Sequence, residues 1–333
     1  MEETFEWSPG VGAAHLYPME LYRCTYIYPD GDGVSPASPN LEDGTWGQEN
    51  GSSAVGEMMK PIPVALDITW LSYTENKFYK GHFQLPHDKI LQLFKQGHKE
   101  LVREDNGELA IQRMDYNNII AGMAPGGVVV VWVNGGDVNV EVGRFQAVET
   151  KVNMEDFIGR TDIKVDQNSY VKQELSTQKD VLNNINKNGI PFGLWDKYRK
   201  RFNQQVIIKF DQNHHVGIDN TILNYYNGEK ETLFAEKWIK NDSKQRAMVK
   251  DMRIGWTDSL GGKSQYYILE VKFDEAEMFK AYKEAYGDDP NQAGELITEI
   301  NRGNDHYKIY LQVGDKKVEL LKQKGEFSLY NAN

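Results

Sequence analysis

The chain has a single cysteine, Cys24, in 333 residues. A lone thiol excludes an internal disulfide framework and any cysteine-rich zinc site. No run of about eighteen apolar residues occurs, so hydropathy predicts no transmembrane segment. Positive charge is scarce: 38 Lys and Arg stand against 49 Asp and Glu, a formal charge of −11. This balance argues against a nucleic-acid binder, whose affinity comes mainly from cations on phosphates. Nucleotide and hydrolase signatures are missing too. No glycine-rich run leads into the Lys-Ser/Thr of a P-loop, and none has the strand–helix context of a dinucleotide fingerprint. Ser52 and Ser53 lie in Gly-Ser-Ser-Ala-Val-Gly, the wrong spacing for a nucleophile elbow.

What is present is a globular composition, 40% hydrophobic, 26% charged and 11% aromatic. It suffices for a sizeable core and fits two ordinary domains or one large one. The negative charge is concentrated early. Residues 1–150 carry 21 acids and 10 bases, whereas 151–333 carry 28 of each. Up to Met59 the acids Glu2, Glu3, Glu6, Glu20, Asp30, Asp32, Glu42, Asp43, Glu49 and Glu57 face Arg23 alone. Such a surface either solubilises the chain or steers a basic partner.

Local pattern predicts the elements. Residues 1–18 read as an extended arm punctuated by Ser8-Pro9-Gly10 and Tyr17-Pro18. Residues 21–28 are aromatic and β-branched, hence a strand, and 29–61 form a long polar loop. A hairpin follows over 64–85, then a helix opened by Pro86 and stopped by Gly97. Val128–Val133 is a continuous apolar run, the mark of a strand buried on both faces. Residues 169–188 read as one helix, and 195–202 as extended chain carrying the bases Lys197, Arg199, Lys200 and Arg201. Asn227-Gly228 predicts a hairpin.

The second half echoes the first. Arg253-Ile254-Gly255-Trp256 follows the pattern of Asp67-Ile68-Thr69-Trp70, and each Trp leads to a turn, an aromatic strand and one amphipathic helix. Asp274 and Glu277 form a capping-box pattern at the second helix. The expected fold class is therefore α+β: two tandem duplicated units, each an antiparallel sheet with one packed helix. The organisation predicted is a first repeat over 1–150 with the acidic arm and loop, a helical connector over 151–190, and a second repeat over 191–333. Trp70 and Trp256 are expected core anchors.

Three stretches carry a resemblance: Trp70–Pro86, Met123–Ala147 with its Ala-Pro-Gly-Gly turn, and Gly189–Arg201. Together with Trp7 and Tyr17-Pro18 they resemble the bacterial family catalogued as domain of unknown function 2931, over most of the chain. The resemblance implies an envelope lipoprotein, in some members a candidate immunity protein beside secreted lipase effectors of the type VI system. It implies no catalytic residues. The acidic Met1-Glu2-Glu3 start lacks a signal-peptide pattern. The expected location is thus the cell envelope, periplasmic or lipid-anchored in the precursor, or the cytoplasm if this chain is full length.

No residue set here predicts catalysis, a metal or a cofactor. Cys24 falls within a predicted strand and reads as an inert buried thiol. His214-His215 are adjacent and so would point to opposite faces of a strand. Asp30-Gly31-Asp32-Gly33 begins like a calcium loop but fails at Val34, where another oxygen ligand is required. The function expected is non-enzymatic protein binding, as an immunity protein neutralising a secreted effector; the alternative is an envelope lipoprotein binding a glycan or surface. The candidate partner-binding residues are Asp30, Asp32, Glu42, Asp43 and Trp46. Trp46 stands in a polar loop, where an indole is either an anchor or a contact hot spot.

Overall fold

The computed structural model describes residues 3–36, 40–41, 44–48, 57–104, 108–160, 162, 164–211, 216–235, 241–259 and 264–331. The fold is α+β with mixed sheets. Two compact units are formed: Met1–His98 with Arg113–Trp195, and Lys99–Gln112 with Asp196–Asn333. No helix among the described residues is long and apolar enough to cross a membrane.

The first unit begins with β1 (Thr4–Glu6), β2 (Ser8–Ala13), β3 (Met19–Ile27), β4 (Gly33–Val34), β5 (Asn40–Leu41) and β6 (Met59–Pro61). The hairpin β7 (Ala65–Ser72) and β8 (Lys77–Gln84) then leads into α1 (His87–Gln96). As the sequence predicts, Pro86 precedes this helix and Gly97, at φ 65°, ends it. Between α1 and β11 (Asn118–Ala124) comes a hairpin, β9 (His98–Arg103) and β10 (Leu109–Met114), whose residues Lys99–Gln112 group with the second unit; β12 (Val128–Gly135), β13 (Val138–Gln146) and β14 (Val148–Thr150) follow β11. The strands of this unit order as β14-β8-β7-β3-β4 in one layer and β2-β11-β12-β13 in the other. Val129, Val131 and Val133 meet Trp7, Ile68 and Trp70 in the core, with Ile90 and Phe94 of α1. Val128, Val130 and Trp132, on the opposite face of β12, are buried as well. That is why the run shows no alternation.

Two expectations fail here. Part of the presumed N-terminal arm is strand β2, buried at Val11 and Ala13. It runs parallel to β11, with Val11 opposite Ala121, so the sheet is not purely antiparallel. Gly10 and Gly12 look like loop punctuation locally, yet they suit a strand packed closely between neighbours. A parallel pair needs a long crossover, and the whole stretch from β3 to β10 supplies it.

The predicted helix over 169–188 is two helices, α3 (Gln167–Ser176) and α4 (Lys179–Asn188), preceded by α2 (Met154–Ile158) and followed by α5 (Leu194–Tyr198). Ser176 Oγ and Thr177 Oγ1 donate back to the carbonyls of Gln173 and Glu174. These side chains compete for the terminal carbonyls and favour a stop. Val171 of α3, with Phe157 and Tyr170, covers Leu71, Tyr73 and Phe78 on the outer face of the β7–β8 hairpin. The hydroxyls of Tyr73 and Tyr170 both donate to Glu20 Oε2, at 2.6 and 2.8 Å.

The second unit contains β15 (Phe202–Phe210), β16 (Val216–Tyr225), β17 (Lys230–Phe234), β18 (Lys244–Arg246), β19 (Val249–Asp258), β20 (Gln265–Lys272), α6 (Glu275–Tyr286), β21 (Gly294–Ile300), β22 (Tyr307–Val313), β23 (Lys316–Leu320) and β24 (Lys324–Asn331). Its strands order as β17-β16-β19-β20-β24 and β18-β15-β21-β22-β23. The β15–β21 pair is again parallel. Half of the predicted capping box forms at α6. Asp274 Oδ1 accepts from the Glu277 N–H at 2.9 Å, but the Glu277 carboxylate turns instead to the N–H groups of Leu321 and Lys322. The basic run is not extended chain: α5 carries Lys197, and Arg201 pairs with Glu229 at 2.8 Å.

Candidate protein-binding surface

The site residues predicted from sequence fall in two places of the first unit, while Glu42 and Asp43 lie outside the described residues. Asp30 and Asp32 occupy the turn between β3 and β4. The Tyr28 N–H donates to Asp32 O at 2.7 Å, and the Gly31 N–H to Tyr28 O at 3.1 Å. Gly31 sits at φ 93°, a conformation that L side chains rarely adopt. Asp30 Oδ1 accepts the Asp32 N–H at 3.0 Å, closing an Asx turn that leaves both carboxylates exposed.

Beside this turn the β1–β6 pair sets Glu6 opposite Met59. Trp7 stands edge-on to Tyr28 at 6.5 Å. Lys60 Nζ donates to the carbonyls of Trp7 and Met58, at 2.9 and 3.3 Å. The Lys60 cation is thus held by two backbone carbonyls, and Glu6 is the acid that acts on it. Burial chiefly, with Asp30 and Glu57 adding to it, pushes the Tyr28 hydroxyl up to about 12. Met58 and Met59 are 66% and 50% exposed. Exposed Glu57, Met58 and Met59 are consecutive, and Glu57 shares with Asp30 an influence on Tyr28. Methionine adapts to varied partner surfaces. Sequence reasoning passed over Met58 and Met59; their only signal was an apolar pair ending a polar loop.

Trp46 is elsewhere. Gly47 follows it at φ 87°, and Asn139 Nδ2 donates to Gly47 O at 2.7 Å in a buried contact. The Trp46 ring is half-buried. It stands edge-on to Trp132 at 5.0 Å and tilted to Trp195 at 6.3 Å. Tyr17 extends the cluster, 5.4 Å from Trp195. Trp46 thus packs on β12 of one layer, while Asp30 and Asp32 belong to the β3–β4 end of the other.

The remaining candidate groups offer little chemistry. Asp67 Oδ1 and His82 Nδ1 are 2.5 Å apart on the exposed face of β7–β8, in register with Thr25. His82 Nε2, however, meets Gln84 at 3.2 Å, so no hydroxyl stands where the imidazole would need one. Cys24 is buried; burial, aided by Asp67, pushes its thiol well above the ordinary range. Among the described residues no three His, Cys, Asp or Glu side chains gather to hold a metal. His214 and His215 lie outside those residues.

The Ala-Pro-Gly-Gly turn has a structural account. Gly126 and Gly127 take φ 81° and 74°. Glu75 holds the turn: its carboxylate accepts the Gly126 N–H, the Ser72 hydroxyl and the Tyr79 hydroxyl. A Cβ on Gly126 would meet the ring of Phe192 at 3.2 Å, so with Glu75 all three stretches that carry the family resemblance meet at this turn.

The fold and the turn belong to a family that has no assigned activity. Residues 1–193 match the family described as Protein of unknown function (DUF2931). The chain is a member of that family. No curated protein and no solved structure matches it.

Proposed function

We propose that this chain is a non-enzymatic binding protein whose first unit presents an acidic, methionine-containing surface to a basic protein partner. The observation that carries this reading is the exposure of Met58 and Met59 directly after Glu57, which acts together with Asp30 on the Tyr28 hydroxyl. Acids at a rim raise the encounter rate with a basic partner, and apolar groups at the centre hold the complex. Glu42 and Asp43 are the further contact residues of the proposal, and Trp46, packed on Trp132, acts as the clamp of its loop. A secreted effector as partner and the bacterial envelope as setting are part of the proposal, and the family resemblance is their support.

The test begins with a pull-down to supply a basic protein partner, followed by stopped-flow association with it at low and high salt. The joint variant Asp30→Asn, Asp32→Asn, Glu42→Gln, Asp43→Asn should slow association at low salt and leave melting unchanged. Equal rates for variant and parent sink the acidic-surface reading.

We propose further that the two units are tandem copies. In support, β14-β8-β7-β3 of the first corresponds to β24-β20-β19-β16 of the second, and β2-β11-β12-β13 to β15-β21-β22-β23. The parallel pair falls at the same place in both. Trp70 stacks on Tyr79 at 5.4 Å, as Trp256 stacks on Tyr267 at 5.6 Å.

A further inference from the structure

The second unit ends on an unguarded strand. β24 pairs with β20 without a break, from Lys324 opposite Lys272 to Asn331 opposite Gln265, and it closes the strand order of its layer. An edge strand is commonly blunted by proline, by a bulge or by charges turned inward. β24 has none of these. Its register with β20 does not shift, and Phe327-Ser328-Leu329-Tyr330-Asn331 contains neither proline nor charge.

Side chains alternate along it. Phe327 stands edge-on to the buried Trp256 at 6.3 Å and to Tyr307 at 5.8 Å, so Gly325, Phe327 and Leu329 lie on the inward side. Lys324, Glu326, Ser328 and Tyr330 lie on the outward side. Leu329 is nonetheless 54% exposed and Tyr330 53%, and Lys324, Gly325 and Glu326 are exposed as well. The exposure of an inward leucine marks the far side of β24 as open.

The strand's own sequence selects what fits there. A two-fold axis normal to the sheet pairs two copies of β24 antiparallel. It must pass through a residue, since otherwise inward side chains would face outward ones. An axis through Lys324 or Glu326 sets like charges opposite each other. Axes through Gly325 or Leu329 pair shorter stretches, and one through Phe327 leaves Leu329 opposite Gly325. An axis through Ser328 sets Leu329 opposite Phe327 on the inward side, and Tyr330 opposite Glu326 on the outward side. That register keeps like charges apart and covers both exposed apolar side chains.

We propose that a second copy of this chain docks on this edge, forming a two-fold dimer in which β24 pairs antiparallel with its counterpart about Ser328. A strand pair by itself is a small interface, below the roughly 1,200 Å² of stable complexes, so the dimer is weak and concentration-dependent. The inference concerns the second unit and stands apart from the acidic surface of the first.

Cysteine cross-linking of the full chain tests the register, because Cys24 is buried and supplies no competing thiol. Ser328→Cys should give a disulfide-linked dimer under mild air oxidation, since residues directly opposite in antiparallel strands lie within disulfide reach. Lys324→Cys, far from its own counterpart in this register, should link at least tenfold more slowly. Glu326→Cys and Tyr330→Cys should link when mixed, and each should link slowly alone. Sedimentation of the parent should show dimer rising toward millimolar concentration. Leu329→Lys, at an exposed position, should stay monomeric and melt like the parent. Three results overturn the proposal: a parent chain that remains monomeric at millimolar concentration, which leaves the edge to a strand of another protein; equal linking rates for Ser328→Cys and Lys324→Cys; or undiminished dimer in Leu329→Lys.

Discussion

Arg246 and Glu231 form an ion pair inside the second unit, Nε to Oε2 at 2.9 Å, with the Arg side chain 3% exposed and the Glu 19%. The pair is fully dressed. Arg246 also donates to Gln204 O at 2.6 Å and Asp242 O at 3.2 Å, while Glu231 accepts from Tyr225 OH at 2.8 Å and pairs with Lys244 at 2.5 Å. Removing one member strands the other. Arg246→Ala or Glu231→Ala should each cost about 3–5 kcal/mol. Replacing both by apolar residues, Arg246→Met with Glu231→Leu, should recover much of that loss. Urea unfolding of the three variants checks it; a double variant as unstable as the singles would show that the wider network, not the pair, carries the effect.

The same pair sets a pH dependence. Burial pushes the Glu231 carboxyl up, but Arg246 and Lys244 outweigh it and hold the group below its ordinary value. A depressed carboxyl contributes stability that is present above its unfolded pKa and is lost as pH falls through the folded one. Melting temperature should therefore drop as pH goes from about 5 to 3. Glu231→Gln should start lower at neutral pH and show a shallower acid limb. Parallel limbs for parent and variant would assign the acid sensitivity to other carboxylates.

Trp70 and Trp256 are both fully buried, yet their indoles differ. Trp256 Nε1 donates to Asn304 Oδ1 at 3.1 Å, whereas Trp70 Nε1 has no partner among the described residues. Each Trp→Ala should cost about 3–5 kcal/mol. Trp→Phe should separate them, since at position 256 it also orphans a buried amide oxygen, adding about 1–3 kcal/mol. Equal losses for the two Trp→Phe variants would contradict the role given to Asn304.

Glu75 and Gly127 hold the Ala-Pro-Gly-Gly turn in different ways. Glu75→Ala leaves a backbone N–H and two hydroxyls without their charged acceptor and should cost about 1.5–3 kcal/mol. A Cβ on Gly127 would lie 2.7 Å from Ala147 O, whereas one on Gly159 would meet nothing. Both glycines take positive φ, 74° and 70°. Gly159→Ala should therefore cost only left-handed strain, about 1–2 kcal/mol, and Gly127→Ala clearly more. Chemical denaturation of the two variants gives the comparison directly.

Cys24 should be silent to thiol reagents in the native chain. Its burial disfavours the thiolate that reacts. A colorimetric thiol assay should read no native thiol and a full equivalent after denaturation; rapid native labelling would show that β3 opens locally.

The hairpin 64–85, the stop at Gly97, the Asp274 cap and the doubly buried Val128–Val133 strand were all legible, because each depends on residues a few positions apart. The α+β class followed from their alternation. The helix break after Ser176 was less visible, since hydroxyls that turn back onto their own helix look in sequence like ordinary solvent-facing residues.

The sequence by itself determined these local elements and the family, since both are written in short-range pattern. Tertiary structure alone decided that a glycine-rich N-terminal segment is a buried strand, because its partner β11 lies more than a hundred residues on. It decided that Trp46 rests on Trp132 while Asp30 and Asp32 sit on another layer, and that Arg246 and Glu231 are buried rather than solvated. Pairing of distant strands fixes which side chains leave water, and burial is what separates a structural charge from a surface one; neither quantity has a short-range signature in the chain.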